Sequence, residues 1–153
     1  MLSKRAKYGL KAMLLLSERY EQGPVLSADI AKHEGIPSKF LEMILLALRN
    51  DGLLHSKKGR GGGYQLAKPP ESITIGRVVR VLDGPIAQLP CVSQTAYRRC
   101  DECRDEVSCG VRLVMKDVWE ATTRILDLTT LADVINRQRE AGVLPKGVLS
   151  FAI

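Results

Sequence analysis

The chain reads as a mainly α fold with a small β-wing: a winged helix-turn-helix domain joined to a long dimerisation helix. Three observations predict it. Apolar residues recur at helical spacing in successive blocks between residues 3 and 50. Two short strand-like runs flank the cluster Gly59-Arg60-Gly61-Gly62-Gly63, and one long amphipathic stretch begins at Gly110. At 153 residues the chain holds one domain plus an appendage, and 45% hydrophobic content is ordinary for a globular protein.

Ser3 is placed to cap a first helix of about 17 residues, with Leu10, Met13, Leu14 and Ser17 on its inner face. Lys4, Arg5, Lys7 and Lys11 lie near its start, and Gly23-Pro24 breaks it. Ser27 is expected to cap a short helix, Ala28 to Glu34, which Gly35 ends as a left-handed residue. Pro37 suits the first turn of the next helix because it has no N–H to satisfy there. That helix runs to about Asn50 and buries Leu41, Ile44, Leu45 and Leu48. Two helices joined by a tight glycine turn form a helix-turn-helix, and the exposed face of the second carries Ser38, Lys39, Glu42, Met43 and Arg49.

Leu53 to Lys58 and Tyr64 to Ala67 are the two strands of the wing, with Lys57, Lys58 and Arg60 at its tip. Long cations on a flexible ribbon reach phosphates or enter a minor groove. A nucleotide-binding glycine loop is the rival, but these glycines join two strands, open no helix, and no Gly-Lys-Ser/Thr follows. After Lys68-Pro69-Pro70, a helix from Ile75 to Leu82 turns Val78, Val79 and Leu82 inward until Gly84-Pro85 stops it. Residues 84–109 lack sustained periodicity. From Gly110, Val111, Val114, Met115, Val118, Thr122, Ile125 and Leu126 make one long apolar stripe; its rival partners are the chain's own first helix and, as is usual in a DNA reader, its copy in a second subunit, which is the one expected. Thr130 caps a last helix to about Glu140. The organisation is thus a winged domain over 1–83, a cysteine-rich sensor loop over 84–109, the dimerisation and C-terminal helices over 110–141, and a tail over 142–153.

Charge is unevenly spread. Residues 1–68 carry 12 Lys+Arg against 6 Asp+Glu, whereas residues 69–153 carry 11 of each, so the whole formal +6 lies in the N-terminal half. That is the electrostatic footprint of a nucleic-acid binder, because Lys and Arg release counterions from phosphates. A merely solvated basic face has the same charge. No apolar run approaches the roughly 18 residues of a membrane helix and no secretory pattern opens the chain, so a cytoplasmic location without membrane contact is expected. No catalytic grouping stands out: there is no P-loop, no Ser/His/Asp set and no βαβ setting for a redox dithiol, and the two histidines, His33 and His55, lie far from the cysteines. An enzyme is not expected.

All four cysteines crowd into one polar, turn-rich stretch with the spacing C-x8-C-x2-C-x5-C: Cys91, Cys100, Cys103 and Cys109. In a reducing setting such a cluster favours metal binding or redox sensing over structural disulfides. Thiolates ligate iron–sulfur clusters and structural zinc alike, and a thiol–disulfide switch uses the same residues. Arg98, Arg99 and Arg104 nearby are expected to favour the thiolate.

Four stretches carry a family resemblance: Ser3-Lys4-Arg5-Ala6-Lys7-Tyr8-Gly9-Leu10, Gly35-Ile36-Pro37-Ser38-Lys39-Phe40-Leu41-Glu42, Gly59-Arg60-Gly61-Gly62-Gly63-Tyr64 and Asp83-Gly84-Pro85. With the cysteine cluster and the long helix after it, residues 1–140 resemble the IscR/NsrR/RirA group of bacterial winged-helix regulators, the Rrf2 family. The resemblance implies a homodimer on a pseudo-palindromic double-stranded operator, with the long helix as the dimer contact. It also implies an iron–sulfur cluster at the cysteines, 2Fe–2S or 4Fe–4S, controlling DNA affinity. Carried over by position, Glu42 matches a base-reading residue and Lys58 a wing Arg that enters the minor groove. The three-cysteine pattern of cluster-bearing relatives falls on Cys91, Cys103 and Cys109, with Cys100 extra. The chain departs from the family at two places. Arg112 stands where some relatives have a ligand His, and Tyr8 where others have an acidic residue lent by the second subunit. The fourth ligand is therefore Cys100, a carboxylate such as Asp101 or Asp105, or a small exogenous molecule.

The expected function is a DNA-binding transcriptional regulator, a repressor, whose operator affinity follows an iron–sulfur cluster or cysteine redox state and so senses iron, redox or nitric oxide. The alternatives are a zinc- or thiol-switch regulator, or a cluster-free regulator that senses a metabolite through a protein partner.

Overall fold

A computed structural model describes residues 2–142 of the chain. The expected tail, apart from Gly142, lies outside the described residues. Six helices and one two-stranded sheet follow in order: α1 Lys4–Glu18, α2 Ser27–Glu34, α3 Ser38–Asn50, β1 Leu54–Lys57, β2 Gly63–Leu66, α4 Ile75–Asp83, α5 Gly110–Leu128 and α6 Leu131–Glu140. Short 3-10 turns at Pro70–Ser72 and Pro90–Val92 punctuate the links. This is the mainly α winged-helix architecture that the sequence predicts.

The core forms where α1, α2, α3 and α4 converge. Leu41, Ile44, Leu45 and Leu48 of α3 are wholly buried, as are Met13 of α1, Ile30 of α2 and Val78 of α4. Each such side chain contributes on the order of 1.5–3 kcal/mol on leaving water. In α1 the buried face is Ala6, Gly9, Ala12, Met13, Leu15, Leu16 and Ser17. Leu10 and Leu14, expected on the inner face, are only partly buried on its flank. The cause is Gly9: a Cβ there would lie 2.1 Å from Leu82 Cδ1, so the glycine lets α4 approach and rotates α1 toward its small residues. At the start of α1, the Ser3 side chain accepts from Ala6 N–H at 3.0 Å, and its backbone N–H donates to Asp83 Oδ2 at 3.0 Å.

Two caps differ in outcome. Thr130 forms the expected cap of α6, completed by Asp133 in a reciprocal capping box. Ser27 does not cap α2. It is the first helical residue, and its hydroxyl donates instead to Glu42 of α3.

The last helix also belongs elsewhere than its place in the chain suggests. Leu131 is fully buried in the N-terminal core and Val134 packs against it. Ile75 N–H donates to Thr129 O and Leu131 N–H to Ile73 O, both at 2.9 Å, which ties the start of α6 to the start of α4. The winged domain is therefore completed by α6, and α5 alone stands out from it.

Candidate nucleic-acid interface and cysteine cavity

Helix α3 presents one face outward. Ser38, Lys39 and Glu42 are exposed, with Met43 and Leu46 beside them. Glu42 is not loose, because Ser27 Oγ donates to its carboxylate and fixes where the acceptor points. Arg49, half-buried at the far end, donates from Nη1 to Ser56 Oγ of β1 at 3.3 Å, which joins the helix to the wing. The role of Ser27 escaped sequence reasoning, since its 15-residue separation from Glu42 follows no local pattern.

The wing is a hairpin with Leu54 opposite Leu66 and Lys57 opposite Gly63. Val25 of the α1–α2 link adds a third rung: Val25 N–H donates to Tyr64 O at 2.9 Å, and Tyr64 N–H to Val25 O at 2.8 Å. Gly63 makes that rung possible. Its φ is +135°, and a Cβ would meet Val25 O at 2.2 Å. Lys57, Lys58 and Arg60 are all exposed around the tip.

The two cations of the first helix diverge. Lys4 is exposed, whereas Arg5 is half-buried and donates from Nη1 to Leu82 O at 3.1 Å. Arg5 thus holds the end of α4 to α1.

Cys91, Cys100, Cys103 and Cys109 all line one cavity of about 430 Å³, with Glu102, Arg104, Asp105 and the first residues of α5, Val111 and Arg112. None is in a disulfide. Cys91 is buried in the Pro90–Val92 turn and the other three are half-buried. Local bonds set the walls. Cys103 N–H donates to Cys100 O at 3.2 Å, and Arg98 N–H donates to Pro90 O at the same length. Arg112 Nε reaches back to Cys91 O at 3.3 Å. Arg99 Nη2 donates to Cys103 O at 3.1 Å and to Arg104 O at 3.3 Å. Asp105 accepts from the N–H groups of Val107 and Ser108 and from the Ser108 hydroxyl, which hold its carboxyl below the usual range. The expected arginine effect fails at Cys100. Burial, with contact from the Cys91 thiol, pushes its thiol up. Among the described residues, no three His, Cys, Asp or Glu side chains converge on a point that would hold a single ion.

On α5 the expected stripe divides. Val111, Val114, Val118 and Ile125 are exposed, at 62%, 57%, 40% and 59%. Met115, Thr122 and Leu126 instead turn half-buried toward their own chain, beside Trp119 and buried Thr123. Exposed Ala121 and Leu128 complete the outward row, so it runs 111, 114, 118, 121, 125, 128, a strict 3-4-3-4-3 spacing. That spacing was present in the sequence, but a wider stripe hid it. The C-terminal end of α5 is locked to α4, where Arg80 makes two bonds to Asp127, 2.5 and 2.9 Å long. Among the described residues, no helix is long and apolar enough to cross a membrane.

Comparison with known proteins gives a consistent result. The sequence profile of the Rrf2 family, described as an iron-dependent transcriptional regulator, matches residues 2–137. A protein of Rhodobacter capsulatus described as an rrf2-like HTH-type transcriptional regulator is 43% identical over 138 residues, covering 88% of this chain and 92% of its own. Among solved structures, CymR, the global cysteine regulator of B. subtilis, superposes with a TM-score of 0.75 at 30% identity, covering 90% of this chain and 97% of its own. The IscR of T. potens gives 0.74 at 31% identity, covering 96% and 93%.

Proposed function

The chain belongs to the Rrf2 family of DNA-binding transcriptional regulators, and from that premise we propose that it acts as a homodimeric repressor whose grip on a pseudo-palindromic operator is set by an iron–sulfur cluster at its cysteine cavity. Its relatives are regulators and not enzymes. Ser38, Lys39 and Glu42 face the major groove, Lys57, Lys58 and Arg60 the flanking backbone or minor groove, and Lys4 a phosphate. Arg5 and Arg49 position these elements through Leu82 and Ser56.

The outward row of α5 supports the dimer and suggests its direction. Laid antiparallel on a copy of itself, the row is self-complementary: Val111 meets Leu128 of the partner subunit, Val114 meets Ile125, and Val118 meets Ala121. A two-fold axis demands that symmetry. The same arrangement brings Asp117 toward Arg124 of the partner subunit, and neither has an ion pair within its own chain among the described residues. A parallel pair would bring no such opposite charges together.

One observation carries the sensing role. The cavity lined by all four cysteines is also lined by Val111, the first residue of the dimer row. Through the antiparallel contact, Val111 abuts the end of α5 in the partner subunit, where Asp127 is bonded to Arg80 of α4. A group filling the cavity thus bears on the partner's winged domain and on the spacing of the two recognition helices, which half-sites about 34 Å apart tolerate poorly when wrong. The donor set fits a cluster. Four free thiols line one space, and thiolates are the ligands of iron–sulfur clusters. When bound, the cluster supplies sensitivity to iron supply, redox state and nitric oxide.

The test uses a duplex recovered by in vitro selection. Affinity is measured by anisotropy for cluster-loaded and cluster-free protein at matched salt. A difference of roughly 5–150-fold is expected, the usual range for allosteric coupling. Equal affinities would reject cluster control while leaving DNA binding intact.

A further inference from the structure

Resting on that cluster reading, we infer that Cys100 is the fourth ligand, so that the metal centre is all-thiolate and complete within a single subunit. The cavity wall decides it. Cys100 lines the space with Cys91, Cys103 and Cys109, although 8 residues separate it from Cys91 along the chain. The bond from Cys103 N–H to Cys100 O folds the two-residue spacer into a turn that keeps both cysteines on the same wall.

The other candidates fall away on their contacts. Asp105 is at the cavity, but Val107 and Ser108 already satisfy its carboxylate. Asp101 does not line the space. Arg112 does line it, but a guanidinium cannot ligate iron, and its Nε is committed to Cys91 O. It supplies positive charge beside four thiolates. Tyr8 is occupied elsewhere, edge-on against Phe40 with ring centroids 5.8 Å apart. Glu102 is the one remaining carboxylate on the wall, and it serves as the control.

Two consequences follow. As the centre loads, each of the four thiols gives its proton to solvent while its sulfur bonds iron, so no ligand is lent by the partner. A chain unable to dimerise therefore still holds one full centre.

The experiment loads wild type, Cys100→Ser, Glu102→Gln and Val118→Asp anaerobically with ferrous iron and sulfide. Iron per chain, the visible spectrum and retention against a chelator are then read, with circular dichroism to confirm folding. A parallel titration of each metal-free protein with cadmium counts thiolates from the intensity of the sulfur-to-metal band, independently of any iron chemistry. Expected are equal loading of wild type, Glu102→Gln and Val118→Asp. Cys100→Ser should retain iron more than about tenfold less well and lose one thiolate from the cadmium count. A Cys100→Ser protein matching wild type in both readouts overturns the assignment, as does a Val118→Asp monomer that cannot load. A wild type that takes up no iron would instead sink the cluster reading beneath it.

Discussion

Helices α3 and α5 both carry aliphatic residues along one face, yet those faces meet opposite fates. Leu41, Ile44, Leu45 and Leu48 of α3 are wholly covered by their own chain, whereas Val111, Val114, Ile125 and Leu128 of α5 stand between 57% and 74% exposed. Periodicity states which face of a helix avoids water. It does not state who covers that face. The winged domain is self-sufficient because α1, α2 and α4 close over α3. Residues 84–128 are not: among the described residues nothing covers the outward apolar row of α5.

Substitutions in the two rows should therefore fail differently. Val118→Asp places a charge at the centre of the outward row. It should convert the dimer to monomer in sedimentation velocity and weaken operator binding by roughly 10²–10⁴-fold through lost bivalency. The thermal midpoint of the winged domain should barely move. Leu45→Ala removes atoms from a fully buried site and should cost about 2–5 kcal/mol in denaturant unfolding. A Leu45→Ala protein that remains folded should still dimerise. A dimeric Val118→Asp protein would erase the contrast, because α5 would then not be the interface.

The winged domain was legible in the sequence for the reason that makes it stable: its signals are local. Thr130 ahead of α6 and the glycines between the wing strands act over a few residues, and the structure uses each where expected. Pro37, expected in the first turn of α3, stands just before it as the N-cap. What escaped depends on distant partners. Leu10 and Leu14 sit on the flank because Gly9 admits Leu82. Ser27 forgoes its cap because Glu42 stands within reach. Met115, Thr122 and Leu126 fall on the inner side of α5 because one side of that helix packs against α4 and the Pro90–Val92 turn. The cysteine stretch was legible as chemistry but not as shape. Its spacing shows crowding, while the cavity depends on the Pro90–Val92 turn and on Arg112 reaching back to Cys91 O.

The junction between the two regions offers the smallest and most local test. Thr130 and Asp133 cap α6 at the point where the chain leaves the exposed helix and re-enters the core. Thr130→Ala removes the acceptor for Asp133 N–H, and the usual cost of such a cap is about 1 kcal/mol. Asp133 adds a pH signature, since hydrogen bonds from Thr130 N–H and Oγ hold its carboxyl below the ordinary value. A carboxylate depressed in the folded state stabilises it fully above the unfolded pKa. That contribution fades as pH falls through the lower, folded value. The stability difference between wild type and Asp133→Asn should accordingly be constant near neutrality and shrink below the ordinary carboxylate range of about pH 4. Chemical denaturation across that range reads it directly. A difference that does not vary with pH would mean that the cap acts through geometry alone, and that the re-entry of α6 rests on Leu131 burial without electrostatic help.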